Sequence, residues 1–155
     1  MMDLYSEIIL DYFKNPVNKG EIDKPTGTAS EYNPLCGDKI RVDILLDKKG
    51  KVVEAKFSGE GCAISQAATS MLTEKLIGKT PAQIKKISNE EIYKMLNIPI
   101  SPGRVKCALL GLVTAKKAAI SANTKTKTPD TKKSLKNPTC HFLQIKKSRQ
   151  RGTTR

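Results

Sequence analysis

One change of hydrophobic period does most to limit what this chain can fold into. Ile40, Val42, Ile44 and Leu46 alternate with Lys39, Arg41 and Asp43, and Val53, Ala55 and Phe57 resume the alternation after Asp47-Lys48-Lys49-Gly50. Period two on both sides of a turn predicts an antiparallel hairpin with one buried face. Beyond Gly59-Glu60-Gly61-Cys62 the spacing becomes 3.6, with Ile64, Ala67, Ala68, Met71, Leu72 and Leu76 along one side. A helix therefore begins at or just after Cys62 and stops at Gly78.

The flanking elements follow from the same signals. Leu4, Tyr5, Ile8, Ile9, Tyr12 and Phe13 recur at helical spacing behind Asp3 as a cap, and the helix should end near Asn15, ahead of Pro16. Val17 to Ser30 reads as a loop running into an extended segment near Ala29 to Asn33. Thr80-Pro81-Ala82-Gln83 and Ser88-Asn89-Glu90-Glu91 are capping boxes that open two short helices. Ser101-Pro102 should cap and start the last helix, which Val105, Leu109, Leu112 and Val113 carry to about Ala122. No internal repeat is present. From Asn123 onward there is no period and little to bury, which predicts a folded domain over 1–122 and a disordered basic tail over 123–155.

With 155 residues, one domain and a tail fill the chain. No apolar run reaches the length of a membrane span, and the acidic residues of the first helix are unlike a signal peptide, so a cytoplasmic protein is expected. The net charge of +13 points to nucleic acid only superficially. Residues 1–120 carry 18 Lys and Arg against 14 Asp and Glu, while residues 121–155 carry 10 against 1. The excess sits in the tail, where counterion release gives weak, sequence-independent affinity at most, and no groove-reading element accompanies it. Nucleic-acid binding ranks low, and membrane binding is not expected.

Four cysteines in a reducing compartment suggest metal binding or thiol chemistry in preference to disulfides. Three fall at structural junctions: Cys36 in the loop before the first long strand, Cys62 at the hairpin-to-helix turn, Cys107 in the first turns of the last helix. Gly37 lets Cys36 and Asp38 face one metal. Gly59 and Gly61 permit close approach of the turn before Cys62. A helix start stabilises a thiolate at Cys62, and Arg104 and Lys106 push Cys107 the same way. Three thiolates and a carboxylate suit tetrahedral zinc, or an iron–sulfur cluster with one oxygen ligand that would hold its cargo less tightly. The plain alternative is that these cysteines are small buried hydrophobes, a reading that fits Cys107 best and Cys36 worst. In the tail, Cys140-His141 lacks the second ligand pair of a zinc finger, and Phe142, Leu143 and Ile145 form a short apolar patch.

The runs Asn33-Pro34-Leu35-Cys36-Gly37-Asp38, Gly59-Glu60-Gly61-Cys62-Ala63-Ile64-Ser65, Thr73-Glu74 and Arg104-Val105-Lys106-Cys107-Ala108 resemble the motifs of the U-type iron–sulfur scaffolds, the IscU, NifU amino-terminal and SufU family. The resemblance covers residues 1 to about 122. It implies an α+β domain, a three-stranded antiparallel sheet with helices packed on one side, and an exposed site lined by Cys36, Asp38, Cys62 and Cys107. It implies an iron–sulfur cluster, of 2Fe–2S type, or Zn2+ at that site. It also implies a pyridoxal-phosphate cysteine desulfurase of the IscS/SufS type as sulfur donor and apo-proteins as recipients. A scaffold or sulfur acceptor is expected, not an enzyme, with Cys36 receiving the sulfur. The rival within the family is a zinc-bound sulfurtransferase that holds no cluster. Lys106 before the third cysteine and Gly-Glu-Gly-Cys at 59–62 resemble the SufU branch, whereas the short stretch between Cys62 and Cys107 resembles IscU. Lys106 is either a solvated side chain or a cation that stabilises the thiolates. Ser101-Pro102-Gly103-Arg104-Val105 stands where IscU has its proline-rich chaperone-recognition segment.

Overall fold

The computed structural model describes residues 4–126. The Asp3 cap, the tail beyond residue 126, Cys140-His141 and the apolar patch at 142–145 lie outside the described residues. Helix α1 (Leu4–Lys14) opens the chain and leads to strands β1 (Gly27–Asn33), β2 (Asp38–Leu46) and β3 (Val52–Glu60). Four helices follow: α2 (Ala63–Leu76), α3 (Pro81–Lys86), α4 (Asn89–Leu96) and α5 (Val105–Thr126). The strands form an antiparallel sheet in the order β1-β2-β3, with β2 central.

The buried face of the sheet follows the alternation in the sequence. Ile40, Val42 and Ile44 of β2 and Ala55 and Phe57 of β3 are buried, and helices α2 and α5 pack against the sheet. Ala67, Ala68, Leu72 and Leu76 face the core from α2, and Ala108, Leu112, Ala115, Ala118, Ala119 and Ala122 from α5. So many alanines let α5 lie close to β1. Burying this apolar surface, at about 25 cal/mol per Å2, is what drives the helices onto one side of the sheet.

Val53 departs from expectation. It is half exposed at 52%, while Val52 is buried at 1%. The register slips between Leu45 and Leu46, so that Leu45 faces Glu54 and Leu46 faces Val52. Such a bulge adds one residue to the strand and breaks its alternation, so that Val52, not Val53, shares the buried face with Ala55 and Phe57. Asp43 also breaks the simple alternation, because it is buried on the outer face of the sheet. Thr28 Oγ1 (2.6 Å), Arg41 Nε (3.0 Å) and the Ile22 N–H (3.2 Å) donate to its carboxylate. The segment after α1 is therefore no free loop: it is strapped over the sheet, and Lys19 bridges Phe57 in parallel.

Both capping boxes form, at Thr80 with Gln83 and at Ser88 with Glu91. Ser101 does not cap with its side chain. Pro102–Arg104 make a 3-10 turn in which the Arg104 N–H donates to the Ser101 carbonyl at 2.8 Å, and α5 starts only at Val105. At its other end α5 runs to Thr126, four residues past the expected stop. Among the described residues no helix is long and apolar enough to cross a membrane.

Candidate metal centre

The ends of β1 and β3 and the starts of β2, α2 and α5 meet at one edge of the domain. Asn33 closes β1, and the Asn33-Pro34 pair, a strong turn signal, folds the chain back so that Asp38 can pair with Asn33 at the start of β2. Gly37 in that turn takes φ +73, a left-handed conformation that few side chains tolerate. Cys36 is thereby left exposed at the tip, beside Leu35, which is 72% exposed.

The period switch at residues 59–62 builds the opposite wall. Cys62 is the N-cap of α2, and its Sγ accepts from the Ser65 N–H at 3.5 Å. The Cys62 N–H donates to Asp38 Oδ1 at 3.1 Å. Gly61 makes this closeness possible: a Cβ there would stand 2.4 Å from Ser65 Oγ and 3.1 Å from Asp38 Cγ. Asp38 is 2% exposed, and its second oxygen, Oδ2, has no hydrogen-bond partner. A buried carboxylate oxygen left unpaired is costly, so such a group points to something that normally binds it.

Cys107 rises from the first turn of α5. Its Sγ lies 2.8 Å from Cys36 Sγ, in contact but unbonded, since a disulfide holds sulfurs at about 2.05 Å. Ligand atoms of Cys36, Asp38 and Cys107 all lie within 4.8 Å of one another. Two sulfurs and one carboxylate oxygen at that spacing, with an unpaired oxygen on the carboxylate, fit a thiophilic cation of the zinc or iron type. Cys62 is beside this group but outside it, because its sulfur is turned to cap α2.

The electrostatics of Cys107 run against expectation. Burial pushes its thiol well above the ordinary range, the hydrogen bond with Cys36 raises it further, and the charges of Cys62 and Asp38 add in the same direction. Arg104 and Lys106 do not offset this. Both are exposed and make no ion pair among the described residues. Lys106, one residue before Cys107, points about 100° away around the helix, since adjacent positions do not face each other. A cation entering the site must therefore displace the Cys107 proton.

Two residues with a place at this edge were not singled out for a role. Asn33 is buried, with its amide on Cys107 Sγ. Ser65 holds Cys62 through both its N–H and its Oγ, which donates to the Cys62 carbonyl at 3.0 Å. The Asn-Pro pair and a serine three residues after a helix cap were the available signals. Next to the Cys36 turn, Tyr32, Leu35, Leu109 and Val113 line an apolar cavity of about 330 Å3, with Lys106 also on its wall.

Residues 4–129 match the family described as NifU-like N-terminal domain. The zinc-dependent sulfurtransferase SufU of Bacillus subtilis is 38% identical over 125 residues, covering 69% of this chain and 83% of the relative. The iron–sulfur cluster assembly scaffold protein IscU of Haemophilus influenzae is 37% identical over 120 residues, covering 76% and 93%. A crystal structure of a candidate SUF-system scaffold protein from Fervidobacterium islandicum superposes with TM-score 0.65 at 33% identity, covering 74% of this chain and 96% of that one.

Proposed function

Because this chain belongs to the family of NifU-like N-terminal domains, we propose that it is an iron–sulfur cluster assembly scaffold and sulfur acceptor, with a working domain that reaches to the end of α5 at Thr126, past the expected boundary at 122, and a basic appendage beyond it. Cys36, Asp38, Cys62 and Cys107 are its ligands. The observation that carries this reading is the buried Asp38 carboxylate, with one oxygen unpaired and a carboxylate oxygen within 4.8 Å of the Cys36 and Cys107 sulfurs. Cys62 joins by rotating its sulfur off the Ser65 N–H. A labile cluster is the cargo, built here and handed to apo-proteins in the cytoplasm, where thiols stay reduced.

Cys36 receives the sulfur. A pyridoxal-phosphate cysteine desulfurase presents a cysteine persulfide, and the Cys36 thiolate attacks its outer sulfur. A new S–S bond forms on Cys36 as the bond within the donor's persulfide breaks, and the donor cysteine leaves as a thiolate. Exposure of Cys36 suits this step, and the apolar cavity beside Leu35 gives a partner surface to grip. Lys106 and Arg104 stand exposed at the same edge, placed to meet the negative charge of arriving sulfur.

A second reading rests on the SufU relative, which is as similar to this chain as the IscU scaffold is. In it, zinc resides in the site, held by the same four residues, and supplies a Lewis acid that keeps the thiolates deprotonated and ordered. Anaerobic purification with metal analysis, followed by reconstitution with iron, cysteine and desulfurase, separates the two. The scaffold reading predicts visible charge-transfer absorption from a bound cluster. Zinc alone, with no colour after reconstitution, leaves only sulfur transfer.

A further inference from the structure

Asn33 is where the segments carrying the two touching sulfurs meet. It is 5% exposed, and its Nδ2 donates to Cys107 Sγ at 3.7 Å. Its Oδ1 accepts from the Leu35 N–H at 3.2 Å. Its main-chain carbonyl accepts from the N–H groups of Cys36 at 3.3 Å and Gly37 at 2.9 Å. Pro34 has no N–H to offer. Every backbone N–H of the turn 34–37 therefore ends on Asn33, and the one remaining end of its side chain reaches the Cys107 sulfur on α5. The amide has a single acceptor oxygen, and because the Leu35 N–H needs it, the NH2 group must face Cys107.

We propose that Asn33 is a positioning residue of the metal centre, which presents the Cys36 and Cys107 sulfurs as a preformed pair and stabilises negative charge on Cys107 by donating to its sulfur. This rests on the reading of Cys36, Asp38 and Cys107 as ligands. Donors to metal-bound sulfur fix the ligand and tune the electrons it gives to the metal. Without the amide, the turn keeps its length but loses the tie that holds it over α5.

The test uses the full chain, its Asn33→Ser and Asn33→Ala variants, and Co2+ as probe. Asn33→Ser keeps an uncharged side-chain acceptor for the Leu35 N–H, as serine does in turns, and removes the donor to sulfur, so it keeps the turn even where Asn33→Ala does not. The expected result for Asn33→Ser is Co2+ binding weaker by about 10- to 100-fold, the range for outer partners of metal ligands. Its sulfur-to-cobalt charge-transfer band should move to lower energy, a shift that a merely structural role does not produce. Diamide treatment of the metal-free proteins, mapped by mass spectrometry, should join Cys36 to Cys107 in the wild type and do so several-fold more slowly in both variants, because lost sulfur pairing and lost thiolate character act in the same direction. Unchanged cobalt affinity with an unmoved band, or equal rates of Cys36–Cys107 linkage in all three proteins, overturns the proposal. A wild type that takes up no Co2+ defeats the metal reading alone, and the linkage rates then decide the sulfur pairing by themselves.

Discussion

The Cys36 turn and the helical floor beneath it offer sulfur in opposite ways. Cys36 is exposed on a turn of four residues, 34–37, whose N–H groups all bond to Asn33. Cys107 is 1% exposed at the start of a 22-residue helix, and Cys62 caps a second helix. The turn can change without disturbing the core, whereas the floor is part of the core. Receiving sulfur from a partner needs the first kind of thiol; holding a metal in a fixed frame needs the second.

Substitutions on the two sides should separate these roles. Cys36→Ser should abolish sulfur uptake from the desulfurase, read as loss of the added mass of one sulfur atom, yet change stability by no more than about 0.5 kcal/mol, as for an exposed site. Cys107→Ser should still accept sulfur on Cys36 but lose metal by more than the roughly 10- to 100-fold of an outer partner, while destabilising the fold by about 1–3 kcal/mol as a hydroxyl is buried. If Cys107→Ser blocks sulfur uptake as fully as Cys36→Ser does, the division fails.

Gly61→Ala strikes the floor alone. Its methyl meets Ser65 Oγ and the Asp38 carboxylate, and the expected loss is about 1–3 kcal/mol in urea denaturation, as for overpacking elsewhere. Sulfur uptake by Cys36 should persist. Asp38→Ala removes the proposed oxygen ligand, and the reconstituted cluster should then survive several-fold longer; an unchanged lifetime removes Asp38 from the ligand set. The smallest effect is expected on the exposed rim, where Lys106→Ala and Arg104→Ala should leave stability within about 0.5 kcal/mol of wild type and slow sulfur uptake only modestly, more so at low salt.

How far the sequence spoke for itself differs between the same two regions. The switch of period at Cys62 located the floor because a buried helix face repeats every three or four residues, and Ala67, Ala68, Leu72 and Leu76 lie where that predicts. The bulge near Leu45 stayed hidden because Val52 and Val53 are both apolar valines, and only the partner strand decides which turns inward. Arg104 and Lys106 misled because closeness along a helix is not closeness in space, while what dominates Cys107 is its own burial, followed by its hydrogen bond to the sequence-distant Cys36. The motifs around Cys36, Cys62 and Cys107 pointed to one centre, and the chain brings Cys36, Asp38 and Cys107 together. Cys62 stays apart because its sulfur caps α2, and in the proposed centre helix capping and metal binding compete for that sulfur, a competition that spacing alone does not express.

That competition makes metal-edge X-ray absorption of the zinc-loaded, anaerobically prepared protein the most direct test. Three sulfurs at about 2.3 Å and one oxygen at about 2.0–2.2 Å are predicted around the ion, the distances normal for zinc. In Asp38→Cys the oxygen should give way to a fourth sulfur. A coordination shell without sulfur, or one whose oxygen Asp38→Cys leaves in place, would contradict a centre built from Cys36, Asp38, Cys62 and Cys107.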